Sequence, residues 1–339
     1  MINFWLQLNK PILVLAPMEG VTDLAFRLIA KQGGADVVYT EFISSDAIGH
    51  LGKSALAKMA RRDDERPVIC QIFGRDPVMF AQAARMVEEA GFDGLDINFG
   101  CPARKVVGSG SGVALLRQPE YARQLIEAAL HEISIPLSIK VRASIRKEAR
   151  HIDPDCTDRA TALDLAEVIK DLPVAAMMIH GRSYEQGFNG AIDLDMIRQV
   201  RRVFPGLVLA NGGINSPERA AEVLEQTGAD GLGIARGAMG RPWIFHQTRE
   251  YLATKKYATP QPIEIAAVIR KHASLVHDLK GPRGLLEFRK HIAQYLTGWR
   301  GAAELRARAV RIVTLDDVEH VVQSMLEYLR VTPETKHPR

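Results

Sequence analysis

The stretch LVLANGGINSPERAAEVLEQTGADGLGIARG, residues 207–237, predicts one strand–helix–strand unit. Its two apolar runs, LVLA and GLGI, are continuous rather than alternating, which is typical of strands that are buried on both faces. Between the runs, Ser216 followed by Pro217 is a helix-start signal, and Gly228 is a helix-stop signal. Two parallel strands joined by a helix are therefore expected here.

The same unit repeats along most of the chain. Eight apolar runs occur, and each is followed by a longer segment whose apolar residues have helical spacing. Eight repeats favour an α/β fold of the (β/α)8 TIM-barrel type, and an open doubly wound sheet is the alternative. The predicted strands are 11–18, 37–42, 67–73, 94–100, 136–142, 175–182, 207–213 and 231–237.

The chain is too long for a barrel alone. A barrel of this type takes about 250 residues, whereas the chain has 339. We assign residues 1–253 to the barrel domain, which is followed by a polar linker, and residues 263–330 to a small C-terminal domain. The second domain shows no strand signal and predicts three or four helices. Residues 331–339 are expected to be a disordered tail.

Two segments interrupt the alternation of strands and helices. The charged insert 146–160 follows the fifth strand, where the loops of a barrel build its active site. It is interpreted either as a lid over the site or as a plain surface insertion. The segment GSGSG at 108–112 follows no strand directly and matches no dinucleotide fingerprint. We interpret it as a flexible active-site loop.

Charge is distributed unevenly along the chain. From Arg241 to the end there are 17 Lys and Arg against 10 Asp and Glu, whereas residues 1–240 contain 27 against 30. A basic C-terminal portion on a mildly acidic body predicts a polyanionic partner such as nucleic acid. Solvated helix faces in a slightly basic protein are an equally valid interpretation of the charge alone.

Cysteine content and hydropathy bear on the compartment. Cys70, Cys101 and Cys156 are too few and too scattered for a disulfide framework or a zinc site. No segment approaches the roughly 18 apolar residues that span a bilayer. We expect a soluble, cytoplasmic protein that needs no metal, no membrane and no obligatory protein partner.

Polar residues occur at the C-terminal ends of the predicted strands, where barrel enzymes place their active sites. Strands seven and eight end in NGG and ARGAMG, a common location for phosphate binding. Lys140 offers a cation that could stabilise charge on a flavin ring, and Cys101 is either a proton donor or a structural thiol. The strand-end residues are Pro17, Met18, Glu19, Glu41, Gln71, Asn98, Cys101, Lys140, Arg142, His180, Arg182, Asn211, Gly212, Gly213 and Arg236.

In combination these segments resemble the dihydrouridine synthases, which reduce uridines in tRNA using FMN. The resemblance covers the chain in order from about Leu13 to the C-terminal helices, and DxNxGCP together with HGR and NGG is highly specific. It implies a β/α barrel followed by a helical tRNA-binding domain. The matching segments are APMEGVTD (16–23), DINFGCPARKV (96–106), KVR (140–142), HGR (180–182) and ANGGI (210–214).

The resemblance also implies roles for matching positions. NADPH would reduce FMN, and hydride would then reach C6 of the uracil while Cys101, as the general acid, protonates C5. Ala235 stands where the family usually has glycine, and a methyl group there is compatible with a negative φ. The implied FMN-binding residues are Pro17, Met18, Glu19, Gln71, Lys140, His180, Asn211, Gly212, Gly213, Ala235 and Arg236; the implied substrate-binding residues are Asn98, Arg142 and Arg182.

The chemistry of a thiol suits this role. A cysteine with its ordinary pKa of about 8.5 is mostly protonated at neutral pH, as a proton donor must be. A uridine inside folded tRNA must also be flipped out to reach a barrel mouth, and phosphate contacts elsewhere would supply the free energy. The candidates for those contacts are Arg270, Lys271, Arg283, Arg289, Lys290, Arg306, Arg308 and Arg311.

Two other functions fit parts of the sequence. An FMN-dependent barrel oxidoreductase acting on a small pyrimidine-like molecule would share the phosphate-site glycines and Lys140. It would not explain a basic helical domain. A non-catalytic RNA-binding barrel would explain that domain but not the full set of strand-end polar residues. The target uridine, the choice between tRNA and ribosomal RNA, and the nicotinamide preference are left open.

Overall fold

Eight parallel strands close into a barrel. The structure, a computed structural model, describes residues 3–147, 158–298 and 301–331. The barrel strands are β1 (Ile12–Leu15), β2 (Val37–Ser44), β3 (Val68–Phe73), β4 (Gly94–Phe99), β5 (Leu137–Arg142), β8 (Val174–His180), β9 (Leu207–Asn211) and β10 (Gly231–Ile234); β6 (Ser144–Arg146) and β7 (Arg159–Thr161) lie outside it. Around the barrel the order is β1-β10-β9-β8-β5-β4-β3-β2. The predicted TIM-barrel class and its eight strands are confirmed.

Helices cover the outside of the barrel. Proline lies in the first turn of three of them, at Pro77, Pro119 and Pro217, the last at the predicted signal. The helices of this part are α1 (Leu24–Gln32), α2 (Ser45–Gly49), α3 (Lys53–Lys58), α4 (Pro77–Glu89), α5 (Arg104–Gly108), α6 (Pro119–Leu130), α7 (Ala162–Ile169), α8 (Leu194–Val203), α9 (Pro217–Thr227) and α10 (Ile244–Thr254).

The lower part of the barrel interior is filled with apolar side chains. Val14, Tyr39, Ile69, Met178 and Leu209 belong to one buried cluster there. Such packing is how a barrel of eight strands closes its interior. Space for a ligand is therefore found at the C-terminal ends of the strands.

Part of the charged insert forms a small hairpin. β6 and β7 pair antiparallel just beyond β5. Residues 148–157, the central part of the predicted insert, lie outside the described residues. The predicted disordered tail lies outside them as well, apart from Val331, which ends the last helix.

Within the described residues four helices follow the barrel, and the predicted helical C-terminal region is confirmed. They are α11 (Pro262–Lys280), α12 (Pro282–Tyr295), α13 (Ala302–Ala309) and α14 (Leu315–Val331). They share a separate apolar cluster that includes Ile269, Phe288, Ile292 and Val322. In the described part of the chain, none of the helices is long and apolar enough to cross a membrane.

The helical region packs against α1 of the barrel. Lys280 donates to the Oδ2 atom of Asp23 at 2.6 Å, and the Phe26 ring lies against the rings of His272 and His291. Asp23, His272 and His291 place possible metal-ligand atoms within 4.8 Å of one another. The Asp23 carboxylate already accepts hydrogen bonds from Lys280 and from the Phe26 N–H. We therefore interpret this group as a contact between the barrel and the helices.

Candidate active site

The register of the barrel places polar side chains at one level. Asn98 of β4 lies opposite Lys140 of β5, and Arg142 lies opposite His180 of β8. His180 is in turn opposite Asn211 of β9. Because all of these strands are parallel, their C-terminal ends form one rim, and these residues face a common space.

That space is a cavity of about 1100 Å³. Every residue predicted to bind the cofactor, bind the substrate or act in catalysis lines it. Glu41, a further strand-end residue, is not among the lining residues and instead accepts a hydrogen bond from the Gly20 N–H at 2.6 Å. The lining includes Pro17, Met18, Glu19, Gln71, Asn98, Cys101, Lys140, Arg142, His180, Arg182, Asn211, Gly212, Gly213, Ala235 and Arg236.

One end of the cavity is shaped by backbone. Gly212 has a φ of +109°, and a Cβ atom there would lie 2.6 Å from Cδ2 of His180. At Gly237 a Cβ atom would lie 2.2 Å from the carbonyl oxygen of Ile214. Only glycine allows these close approaches. With the Arg236 guanidinium beside this backbone, the end of the cavity suits an anionic phosphate group.

The residue at 235 fits the same backbone. Ala235 has φ −107°, so its methyl group is accommodated without the strain of a left-handed conformation. The alanine in place of the expected glycine is therefore compatible with this turn.

A chain of hydrogen bonds crosses the floor of the cavity. The Nε2 atom of Gln71 donates to Oδ2 of Asp96 at 2.7 Å, and Nδ2 of Asn98 donates to Oε1 of Gln71 at 2.9 Å. The Oδ1 atom of Asn98 then accepts from the N–H groups of Gly100 and Cys101 at 2.9 and 2.8 Å. The side chain of Asn98 thus holds the loop that carries the cysteine.

Asp96 determines which groups donate and which accept along this series of hydrogen bonds. Its carboxylate has no hydrogen to donate when ionised, so the Gln71 amide must present its NH2 group there and its oxygen to Asn98. Ser138 donates to the other carboxylate oxygen at 2.6 Å. The pKa of Asp96 is raised to about 7, because burial outweighs the opposing effect of the hydrogen bonds from Ser138 and Gln71. Sequence analysis missed this residue, although Asp96 and Asn98 share one face of β4.

Cys101 is protected from solvent. Only 7% of it is exposed, and burial raises the pKa of its thiol, against the opposing effects of a hydrogen bond with the Ala103 backbone and of the Lys140 charge. A Cβ atom at Gly112 would lie 2.9 Å from the Cys101 carbonyl oxygen. The end of the GSGSG segment is thus packed on the cysteine loop. The environment keeps the thiol neutral, as proton donation requires.

The cavity is cationic. Burial and the neighbouring Arg142 lower the pKa of Lys140 to about 8. Burial, followed by the charges of Lys140 and Arg142, lowers the pKa of His180 to about 2. His180 is therefore a neutral imidazole at physiological pH, whereas Lys140 keeps most of its positive charge.

Besides lining the cavity, Arg142 and Arg182 donate hydrogen bonds to neighbouring loops. The Nε atom of Arg142 donates to the Gly100 carbonyl at 3.1 Å, and its Nη1 atom donates to the Gly187 carbonyl at 2.8 Å. Arg182 donates from Nε to the Gly190 carbonyl at 2.8 Å. Both predicted substrate residues therefore also hold loops in place.

The basic candidates of the helical region divide into two groups. Arg270 and Arg308 form ion pairs with glutamates, and Arg289 and Arg306 donate to backbone carbonyls. The other four are exposed, and their side chains make no ion pair or hydrogen bond within the described part of the chain. These four are Lys271, Arg283, Lys290 and Arg311.

Comparisons with known proteins agree with this site. A family model described as Dihydrouridine synthase (Dus) matches residues 14–330. The chain is 35% identical to tRNA-dihydrouridine synthase B of Pseudomonas syringae over 318 residues, which is 93% of this chain and 90% of that protein. It is 36% identical to tRNA-dihydrouridine synthase B of Yersinia pestis over 287 residues, 84% of this chain and 86% of that protein.

Solved structures share the fold at low identity. A 6-hydroxypseudooxynicotine amine oxidase from Pseudomonas geniculata N1 is 12% identical with a TM-score of 0.56, covering 94% of this chain and 64% of its own. A histamine dehydrogenase from Rhizobium sp. 4-9 is 12% identical with a TM-score of 0.55, covering 96% and 63%. These two proteins share the barrel architecture with this chain, although their sequences are only distantly similar.

Proposed function

The chain belongs to the dihydrouridine synthase family, and on that premise we propose that it reduces the C5–C6 double bond of specific uridines in tRNA with FMN and NADPH. One observation carries this proposal: the predicted site residues of the family all line one cationic cavity that contains a neutral, buried thiol. The reaction is an oxidoreduction of a CH–CH bond.

The residues fit FMN. The phosphate would lie against Gly212 and Gly213, whose lack of side chains lets an anion approach the backbone, with the Arg236 guanidinium beside them. Lys140 would supply positive charge to the flavin ring, which is the means by which a protein tunes flavin electronics. Gln71 would face the ring with its remaining amide hydrogen, because its other hydrogen is bonded to Asp96.

FMN held by these residues, once reduced by NADPH, would supply the hydride for C6 of the uracil. Cys101 donates its proton to C5, where negative charge develops as C6 gains hydride. Asn98 holds the cysteine loop through the backbone N–H groups of Gly100 and Cys101. Lys140 and Arg142 place positive charge beside the thiol, which favours the thiolate left after the transfer.

An RNA substrate explains features that a small pyrimidine does not. A second cleft of about 750 Å³ continues from the cavity along the helical region and shares Arg236, Met239 and Arg241 with it. The exposed lysines and arginines of that region suit phosphates. The Nζ atom of Lys290 lies beside Gly20 at the barrel mouth, 3.8 Å from the position of a Cβ atom there. We assign residues 263–330 to tRNA binding on this basis.

The test is chemical mapping of dihydrouridine in tRNA from cells with and without the gene. We expect one or a few positions to lose dihydrouridine, and purified holoenzyme with NADPH to restore it. Binding to unmodified tRNA should weaken steeply with added salt, since phosphate contacts release counterions. Unchanged dihydrouridine in the deletion strain, together with inactive holoenzyme, would refute the proposal.

A pH dependence follows from Lys140. With a pKa of about 8, its ammonium loses the proton as pH rises through that value. We expect the rate of flavin reduction by NADPH to fall by about tenfold per pH unit above this pKa. The Cys101 thiol does not account for such a fall, because it acts on the uracil and takes no part in the reduction of flavin by NADPH. Stopped-flow measurements of flavin absorbance across pH 6–10 would reveal it.

The matched variant is Lys140→Met. Its rate should be low at every pH, without the inflection near the Lys140 pKa, because no titrating ammonium remains. An inflection that persists in Lys140→Met would assign the titration to another group.

A further inference from the structure

Phe188 is an exposed aromatic residue at the mouth of the active-site cavity. It lines that cavity, yet 56% of it is exposed. Among the Phe, Tyr and Trp residues whose burial is described, no other is exposed. An apolar ring left in water beside a binding cavity indicates a contact surface for a ligand.

The loop that carries Phe188 is held firmly. Arg142 donates to the Gly187 carbonyl at 2.8 Å, and Arg182 donates to the Gly190 carbonyl at 2.8 Å. Gly187 and Gly190 have φ values of +59° and +78°, which glycine adopts without strain. The ring is therefore presented by an ordered turn, so little conformational entropy is lost when a ligand contacts it.

Positive charge surrounds the ring. The Cζ atoms of Arg142 and Arg236 lie 5.5 and 5.2 Å from its centroid. The His180 ring, which faces the cavity, lies 6.4 Å away. Arg142 is buried and donates to the Gly100, Ser183 and Gly187 carbonyls, so Arg236 is the exposed cation beside the ring. Unpaired RNA bases stack on aromatic rings and on guanidinium planes.

We propose that Phe188 is a stacking platform for an unpaired nucleobase of the RNA, next to the uridine that enters the cavity. This inference rests on the proposed function, because it takes an RNA as the ligand. Phe188 lies on the exposed rim, whereas Cys101 and Asn98 are buried. A base that neighbours the flipped uridine therefore meets Phe188 at the surface.

The experiment compares four variants of the FMN-loaded enzyme on unmodified tRNA. Phe188→Ala removes the ring, and Phe188→Leu is a matched control that keeps apolar bulk without an aromatic face. Phe188→Tyr and Phe188→Trp keep the aromatic face. We expect kcat/KM for tRNA to fall about 10- to 100-fold in the Ala and Leu variants, mainly through KM. The Tyr and Trp variants should stay close to wild type.

The other outcomes each have one meaning. If Phe188→Leu matches wild type while Phe188→Ala is impaired, the residue is an apolar cover and the stacking proposal is wrong. If the Ala variant loses its bound flavin in step with its activity, Phe188 covers the cofactor and the proposal is again wrong. A wild-type enzyme that makes no dihydrouridine in any RNA refutes the proposed function. An active wild type with equally active variants refutes the role of Phe188 alone.

Discussion

Replacing Cys101 with alanine is expected to lower dihydrouridine formation on unmodified tRNA by about 10²–10⁴-fold, the usual contribution of a positioned general acid. The thiol is buried at the cavity wall with a raised pKa, so it holds its proton at neutral pH. Removing the sulfur leaves no positioned proton for C5 of the uracil. The variant should keep its yellow flavin and should still oxidise NADPH. Single-turnover formation of dihydrouridine is the appropriate measurement.

Cys70→Ala is the matched control for this variant. Cys70 is also a buried thiol, on the neighbouring strand β3, and burial raises its pKa to about 12. It packs in the apolar layer between strands and helices and is not among the residues that line the cavity. We expect Cys70→Ala to retain activity. If Cys101→Ala turned uridine over as fast as Cys70→Ala, the proton would have to come from another group.

The barrel could be predicted because its signals are local. Continuous apolar runs predicted all eight strands, and the Ser216-Pro217 signal placed the start of α9 correctly. The largest differences lie at the first strand, predicted at 11–18 but observed as Ile12–Leu15, and at the last strand. We predicted 231–237, but β10 ends at Ile234, because residues 236–238 form a 3-10 helix. The pattern of apolar residues does not reveal where the backbone turns to form the proposed phosphate site.

Contacts between distant segments could not be predicted. Asp96 and Gln71 are 25 residues apart, and nothing in either segment indicates that one orients the other. Phe188 was missed because a single aromatic in a loop has no periodicity to interpret. The contact of Lys280 with Asp23 joins residues 257 positions apart. Such pairs depend on how the helical region packs on the barrel, which single-sequence patterns do not encode.

Asp96 gives the second large effect. Asp96→Leu fills a similar volume but removes the acceptor for Gln71 Nε2 and for Ser138 Oγ. The Gln71 amide is then free to turn over, and its NH2 group would face the NH2 group of Asn98. The Asn98 amide would then lose its fixed orientation. Its Oδ1 atom would no longer be held in place to accept from the N–H groups of Gly100 and Cys101. A misplacement of about 1 Å in a reacting group costs about 10²-fold in rate, and we expect a loss of that size in kcat.

Asp96→Asn separates orientation from charge. Its Oδ1 atom can still accept from Gln71, while its NH2 group donates to Ser138 Oγ, a hydroxyl that accepts as readily as it donates. Tyr39, whose hydroxyl lies 3.2 Å from Ser138 Oγ, can complete the network. The Asn variant should therefore keep most of the wild-type kcat, with a KM for tRNA unchanged in both variants. Thermal unfolding would verify that each variant is folded, and the flavin absorbance spectrum would report whether Gln71 still meets the ring. If the Asn and Leu variants were equally impaired, the negative charge of Asp96, rather than the direction it gives to the amides, would be what the site requires.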